Sequence, residues 1–288
     1  MQVKKALITV AGTDQRKLPI QSLVDRDGKR RTVLDILIQE VRQAGIEEIG
    51  VVIHPGDKNV YNEITSGNSQ IRLIEQDKPL GYGYAVSCGA DFVDQDYFLH
   101  LVGDHLYMNR TSLRCANHLI QVAEKNNCSV SAVTSTRENL VPNYGTIGGK
   151  RIAGTDDLFM IERVIEKPTP TLAEQVLMIP GLRAGHYECF FGMHVFSPTL
   201  MQILKSNISN TDGKKVWLSE ALNELAGREQ YLALDKHDLR IDIGSKYGLL
   251  KAQIALALSG SDREYVLAEL IDLFATINLN NAEKKAND

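Results

Sequence analysis

FLHLVGDH (residues 98–105) sets a largely apolar, strand-like run against an abrupt Gly103-Asp104 stop. Runs of the same kind stand at 6–10 (ALITV), 49–53 (IGVVI) and 71–74 (IRLI). Helix-period stretches lie between them. Thr32 is placed as the N-cap of VLDILIQEVRQ, and helices are expected over Gly83–Val93 and Leu113–Lys125. Strand–helix alternation with near-continuous apolar strands predicts a parallel sheet covered on both faces. Right-handed crossovers restrict this to a doubly wound α/β fold.

Beyond residue 127 the pattern changes to extended segments broken by turns: SVSAVTSTR, YGTIGGKRIAG, LFMIERVIEKP and HYECFFGMHVFSP. Short helices are expected near 171–177 and 198–205, then an amphipathic helix in WLSEALNELAG and a last strand in DLRIDIG. This predicts an antiparallel insertion or second lobe on the mostly parallel sheet, closed by helices over 246–259 and 262–275. The expected organisation is one domain over 1–260, with halves 1–127 and 128–245, a C-terminal helix over 261–280 as a candidate oligomerisation element, and a flexible polar tail over 281–288.

The formal charge of −4 argues against a dedicated nucleic-acid binder, which needs a basic face, and leaves local basic clusters for a small anionic substrate. MQVKKALITVAG lacks the long apolar core of a signal peptide, and no stretch approaches the ~18 apolar residues of a membrane span. Cys88, Cys115, Cys128 and Cys189 have neither CxxC pairing nor metal-ligand spacing. A cytoplasmic protein without membrane or nucleic-acid partners is expected.

Asp104 follows a strand directly, at the sheet edge where open α/β folds bind ligands, and Gly103 permits close approach to the backbone. It would equally cap the following turn. Asp242 in DLRIDIGSKYG has the same setting, and capping of the next helix is the competing reading. Two aspartates at two strand ends suit a hard cation such as Mg²⁺, which fills its other positions with water and phosphate oxygens. In RVIEKP, an extended strand would turn Glu166 and Lys167 to opposite sides. Lys167 could then neutralise a phosphate while Glu166 accepts from sugar hydroxyls, or both could be a charged surface end. Gln76 precedes Gly81 and Gly83 in QDKPLGYGYAV, which is a glycine-lined wall and a poor dinucleotide fingerprint, since Val86 takes the third glycine position. The chain has no G-x-S-x-G, no HExxH and no Walker GK[ST], and His54 at a strand end reads as structural.

In order, these segments resemble the bacterial UDP-glucose pyrophosphorylase family of sugar-phosphate nucleotidyltransferases, over roughly residues 3–260. Ala11-Gly12 with Arg16 and Leu18-Pro19 is similar to the opening of that family's nucleotide loop. Gln76 with Gly81–Val86 is similar to its base-reading segment, Gly103-Asp104 to its first metal aspartate, and Tyr144-Gly145 to its sugar-facing element. Glu166-Lys167-Pro168 and Asp242-Ile243-Gly244 complete the series. The resemblance implies that a sugar 1-phosphate oxygen attacks the α-phosphorus of a nucleoside triphosphate and displaces pyrophosphate. It gives Arg16, Asp104 and Lys167 catalytic roles and places the nucleotide on Ala11, Gly12, Gln76 and Gly81. Gly145, Glu166 and Lys167 would hold the sugar phosphate, and Asp104 and Asp242 would hold Mg²⁺. UTP and glucose 1-phosphate are the favoured substrates, and a homo-oligomer is expected because relatives self-associate.

The chain also departs from that family. Asp14 and Gln15 stand where it has Gly and Thr, and the lysine that normally follows is absent. An aspartate about 4 Å from a triphosphate costs on the order of 1–4 kcal/mol. Lys215-Val216 replaces the Glu-Ile of many relatives. The altered loop keeps open a second reading, a nucleotide- or sugar-phosphate-binding protein with little turnover.

Overall fold

The computed structural model describes residues 1–12, 16–66, 68–109, 114–211, 213–236 and 238–287. In chain order the elements are β1 (Lys5–Thr9), the hairpin β2 (Ser22–Val24) and β3 (Arg30–Thr32), α1 (Val33–Gln43), β4 (Glu48–Ile53), α2 (Lys58–Thr65), β5 (Ile71–Glu75), α3 (Tyr82–Ser87), α4 (Ala90–Val93), β6 (Phe98–Val102), β7 (His105–Met108) and α5 (Cys115–Asn126). The second half adds β8 (Ser129–Arg137), β9 (Gly145–Arg151), β10 (Leu158–Glu166), α6 (Pro170–Val176), β11 (His186–Phe196), α7 (Pro198–Asn210), α8 (Leu218–Arg228), β12 (Tyr231–Asp235), β13 (Leu239–Asp242), α9 (Gly248–Leu258) and α10 (Arg263–Asn287).

Nine strands form one sheet in the order β5-β4-β1-β6-β11-β8-β12-β10-β9. The block β5-β4-β1-β6 is parallel, as the alternation predicts. β11 then runs antiparallel to both β6 and β8, β12 lies parallel to β8, and β10 and β9 close the edge antiparallel. The expected antiparallel addition therefore continues the same sheet and does not stand apart as a lobe.

Alternation explains why the runs of β1, β4 and β6 are largely apolar on both faces. Ala6 and Ile8 of β1, Val51 of β4 and Leu99 of β6 point into a core under α1, α5 and α9. Leu7, Val52 and Phe98, one step out of phase, point into the opposite core under α3, α7 and α8. Thr32 caps α1 through a capping box with Asp35: its Oγ1 accepts from the Asp35 amide at 3.1 Å, and the Asp35 carboxylate accepts from Thr32. Thr32→Ala is expected to lower stability by about 1 kcal/mol, read as a shifted urea midpoint at unchanged slope.

Two helical expectations change. The stretch over Gly83–Val93 breaks into α3 and α4 at Gly89, where a Cβ would lie 2.6 Å from Leu7 Cδ2. The sheet comes too close there for a side chain. The last helix runs on to Asn287, well past the expected stop at 275. INLNNAEKKAN holds neither proline nor glycine, so nothing in it ends a helix. Along this helix Val266 and Leu270 are half-buried, whereas Leu267, Ile271 and Phe274 are exposed. No helix among the described residues is long and apolar enough to cross a membrane.

Candidate active site

The carboxyl ends of the parallel block open into a cavity of about 500 Å³. β1 leaves the sheet as Val10-Ala11-Gly12 and β6 leaves it as Gly103-Asp104. The two exits are tied by the Gly103 amide donating to the Thr9 carbonyl at 2.9 Å. A Cβ on Gly103 would lie 2.3 Å from Val10 Cγ1, so only glycine lets the strand ends meet. Of the residues singled out in the sequence, Ala11, Gly12, Gln76, Gly81 and Asp104 line this cavity. Arg16, Gly145, Glu166, Lys167 and Asp242 are not among its lining residues.

Asp104 accepts from or shares a proton with His105 Nδ1 at 2.7 Å. Burial pushes its carboxyl upward, but the His105 bond and charge and the Arg240 guanidinium outweigh this, leaving it below the ordinary carboxylate range. β7 and β13 form a separate two-stranded ribbon that pairs His105 with Asp242, and the Ile243 amide donates to the Asp104 carbonyl at 3.0 Å. The two aspartates therefore sit on one ribbon although far apart in sequence. Asp242 Oδ1 accepts from the Gly244 amide at 2.8 Å, which closes a local turn. It does not cap α9, whose N-cap is Tyr247. No other described residue hydrogen-bonds Oδ2 of either aspartate. Two carboxylates, each with an oxygen to spare, fit a hard divalent cation that takes its remaining ligands from water or phosphate.

β10 ends at Glu166, which pairs with Gly145 at the start of β9. A Cβ on Gly145 would lie 3.1 Å from Glu166 Oε2, so these expected sugar-side residues do meet. Lys167 has φ +46 and donates its amide to the Tyr144 carbonyl at 3.1 Å. The expected opposite facing of Glu166 and Lys167 assumed an extended backbone. The left-handed turn at Lys167, uncommon for a residue with a side chain, replaces it.

After β1, the Arg16 amide donates to the Gly12 carbonyl at 2.8 Å. Its carbonyl accepts from buried Tyr61 at 3.0 Å, and its Nε lies 3.5 Å from Asp57. Asp14 and Gln15 lie outside the described residues. His54 Nδ1 accepts from the Gly56 amide at 3.0 Å, the structural role expected, though the residue also lines the cavity. Gln76 donates to the Lys78 carbonyl at 2.9 Å.

Two contributors, Trp217 and Arg240, escaped the sequence reading, and a third, Lys215, entered it only as a departure from relatives. The segment before α8 is stitched to the 76–83 loop by Val216 N to Leu80 O at 2.7 Å and Gly83 N to Val216 O at 3.0 Å. Gly81, with φ +97, accommodates it, since a Cβ there would lie 2.8 Å from the Val216 carbonyl. Lys215 and Trp217 thereby join the cavity wall. Arg240 lies over the Tyr144 ring at 4.3 Å, and its charge reaches Asp104. The signal for Arg240 was present, because i, i+2 spacing puts it on the same face of β13 as Asp242.

Residues 17–258, which carry most of this sheet and its strand-edge cavity, match a family profile described as nucleotidyl transferase. The chain belongs to that family. It is 25% identical to UTP–glucose-1-phosphate uridylyltransferase 1 of Streptococcus pyogenes over 287 residues, covering 89% of this chain and 90% of that one. It is 24% identical over 300 residues to a UTP–glucose-1-phosphate uridylyltransferase of Bacillus subtilis, covering 94% and 96%. Its fold is similar to that of UDP-glucose pyrophosphorylase from Acinetobacter baumannii, with TM-score 0.75, 22% identity, and coverage of 95% of this chain and 100% of the other.

Proposed function

We propose that this chain transfers a uridylyl group from UTP to glucose 1-phosphate. The sugar phosphate oxygen bonds to the α-phosphorus, the α–β bridging bond breaks, and pyrophosphate leaves. The observation that carries this reading is that Asp104 lines the glycine-shaped cavity at the sheet edge while backbone pairing at the β7–β13 ribbon brings Asp242 next to it in the fold. Asp104 and Asp242 would hold a divalent cation such as Mg²⁺, which when bound neutralises phosphate charge. The backbone of Ala11-Gly12 and the amide of Gln76 grip ribose and base, and Gly81 keeps the wall open. Glu166 and Gly145 orient the sugar, while Lys167 and Arg16 offset charge on the two phosphate groups. Nothing in this scheme needs a covalent enzyme intermediate. The exposed Leu267, Ile271 and Phe274 of α10 support self-association of the chain in the cytoplasm.

A second reading is favoured by the ion pair of Arg16 with Asp57, which engages the loop's described cation on a neighbouring turn. Under it the chain binds nucleotide with little turnover. Pyrophosphate release, with each of UTP, dTTP, CTP, ATP and GTP against several sugar 1-phosphates, separates the two. Release is expected with UTP and glucose 1-phosphate. Tight UTP binding without release on any sugar would leave the second reading standing.

A further inference from the structure

Beneath the cavity runs a row of buried polar side chains that the scheme above does not use. His100 sits in the middle of β6, fully buried, in a strand otherwise apolar. Its Nδ1 lies 2.9 Å from the Leu7 carbonyl and its Nε2 lies 2.6 Å from the Tyr82 hydroxyl. A carbonyl can only accept, so Nδ1 carries the proton and Nε2 accepts from the phenol. His194 stands opposite His100 on β11 and stacks on it with centroids 6.0 Å apart. The His194 Nδ1 meets Ser131 Oγ at 2.6 Å, and Ser131 bonds the Tyr231 hydroxyl.

Burial lowers His100 to about 4 and pushes His194 well below the ordinary imidazole range. Burial, with the charges of Asp104 and Glu166 adding to it, raises the Tyr82 phenol. The Tyr82 hydroxyl and His100 Nε2 are thus matched as donor and acceptor, phenol to neutral imidazole. A buried histidine on a central strand is costly unless partnered, and here the partner is a cavity residue.

Tyr82 follows Gly81 at the start of α3 and lines the cavity. It also lies within the fields of both Asp104 and Glu166, the carboxylates proposed for the metal and sugar sides. We infer that the Tyr82 ring is the floor on which the sugar ring of the acceptor rests, and that His100 is a positioning residue holding that ring in place. The inference rests on the transferase reading above. It names Tyr82 as specificity-determining for a pyranose-sized acceptor, since a ring clamped from below cannot turn aside for a bulkier one.

The test is steady-state kinetics with UTP and glucose 1-phosphate, with UTP affinity followed separately by the fluorescence of Trp217, the single tryptophan, in the cavity wall. Tyr82→Leu is expected to raise KM for glucose 1-phosphate about tenfold while UTP affinity stays within about twofold. His100→Leu should raise the same KM, and His100→Gln, which can still accept from the phenol, should recover part of it. In a Tyr82→Phe background the effect of His100→Leu should vanish. A lower melting temperature with unchanged acceptor KM in Tyr82→Leu would overturn the inference, as would equal losses for both substrates. If His100→Leu does not fold, the Tyr82 variants decide alone. Wild-type protein that releases no pyrophosphate with any pair overturns the transferase reading itself, which sets that failure apart.

Discussion

Asp104→Asn is expected to reduce pyrophosphate release on the order of 10³-fold. The change is isosteric and removes one charge. The ribbon bond from Ile243 N to the Asp104 carbonyl is a main-chain bond and survives it. What is lost is one of two carboxylates available to a divalent cation, worth several kcal/mol of charge stabilisation at about 1.4 kcal/mol per tenfold in rate. The same charge contributes to folding. The folded carboxyl is held below its ordinary range, so its stabilisation is present above the unfolded value of 3.8 and fades as pH falls through the lower folded value. The variant should therefore be somewhat less stable at neutral pH and converge with wild type in acid. Turnover that survives the change intact would remove Asp104 from the metal site.

Glu188→Gln is expected to raise stability by roughly 3–5 kcal/mol at pH 8 and by almost nothing near pH 4.5. Glu188 on β11 has no measurable exposure, and neither carboxyl oxygen has a hydrogen-bond partner. Burial, reinforced by the charge of Asp235 and only partly offset by Arg151, pushes its carboxyl up to about 8. Above pH 4.5 the unfolded chain has released this proton while the folded chain keeps it. Folding thus loses stability as pH rises, until the folded form ionises too near pH 8. The amide keeps the shape and cannot ionise. Urea unfolding at pH 5 and pH 8 checks the sign, because a gain of equal size at both values would mean packing and not ionisation.

Much of the fold was legible because the inner strands of the parallel block, β1, β4 and β6, are buried on both faces, with β5 part-buried at the edge. ALIT, IGVVI, IRLI and FLHLV therefore read as apolar runs whose ends fall within a residue or so of the observed strands. Strand order was not legible. β11 inserts between β6 and β8, and periodicity within a strand carries no information about its neighbours. The same limit divides the site residues. Gln76, Gly81 and Asp104 follow strands of the first half directly, so a local reading brings them to the cavity. Trp217 and Lys215 arrive through backbone bonds to a loop remote in sequence, and Arg240 arrives through ribbon pairing. Such contacts are properties of the folded chain. Where the last helix ends was not legible for a different reason, since INLNNAEKKAN has neither the periodicity that marks a packed helix nor a residue that stops one.

The paired bonds joining Val216 to Leu80 and Gly83 also set how the cavity wall comes apart. They close a very long covalent loop, so neither segment can lift away while the other keeps its place. The amides of Gly83 and Val216 are expected to exchange through one opening event with similar protection, which native-state hydrogen exchange would read. A substrate seated against this wall would then restrain both halves of the chain at once.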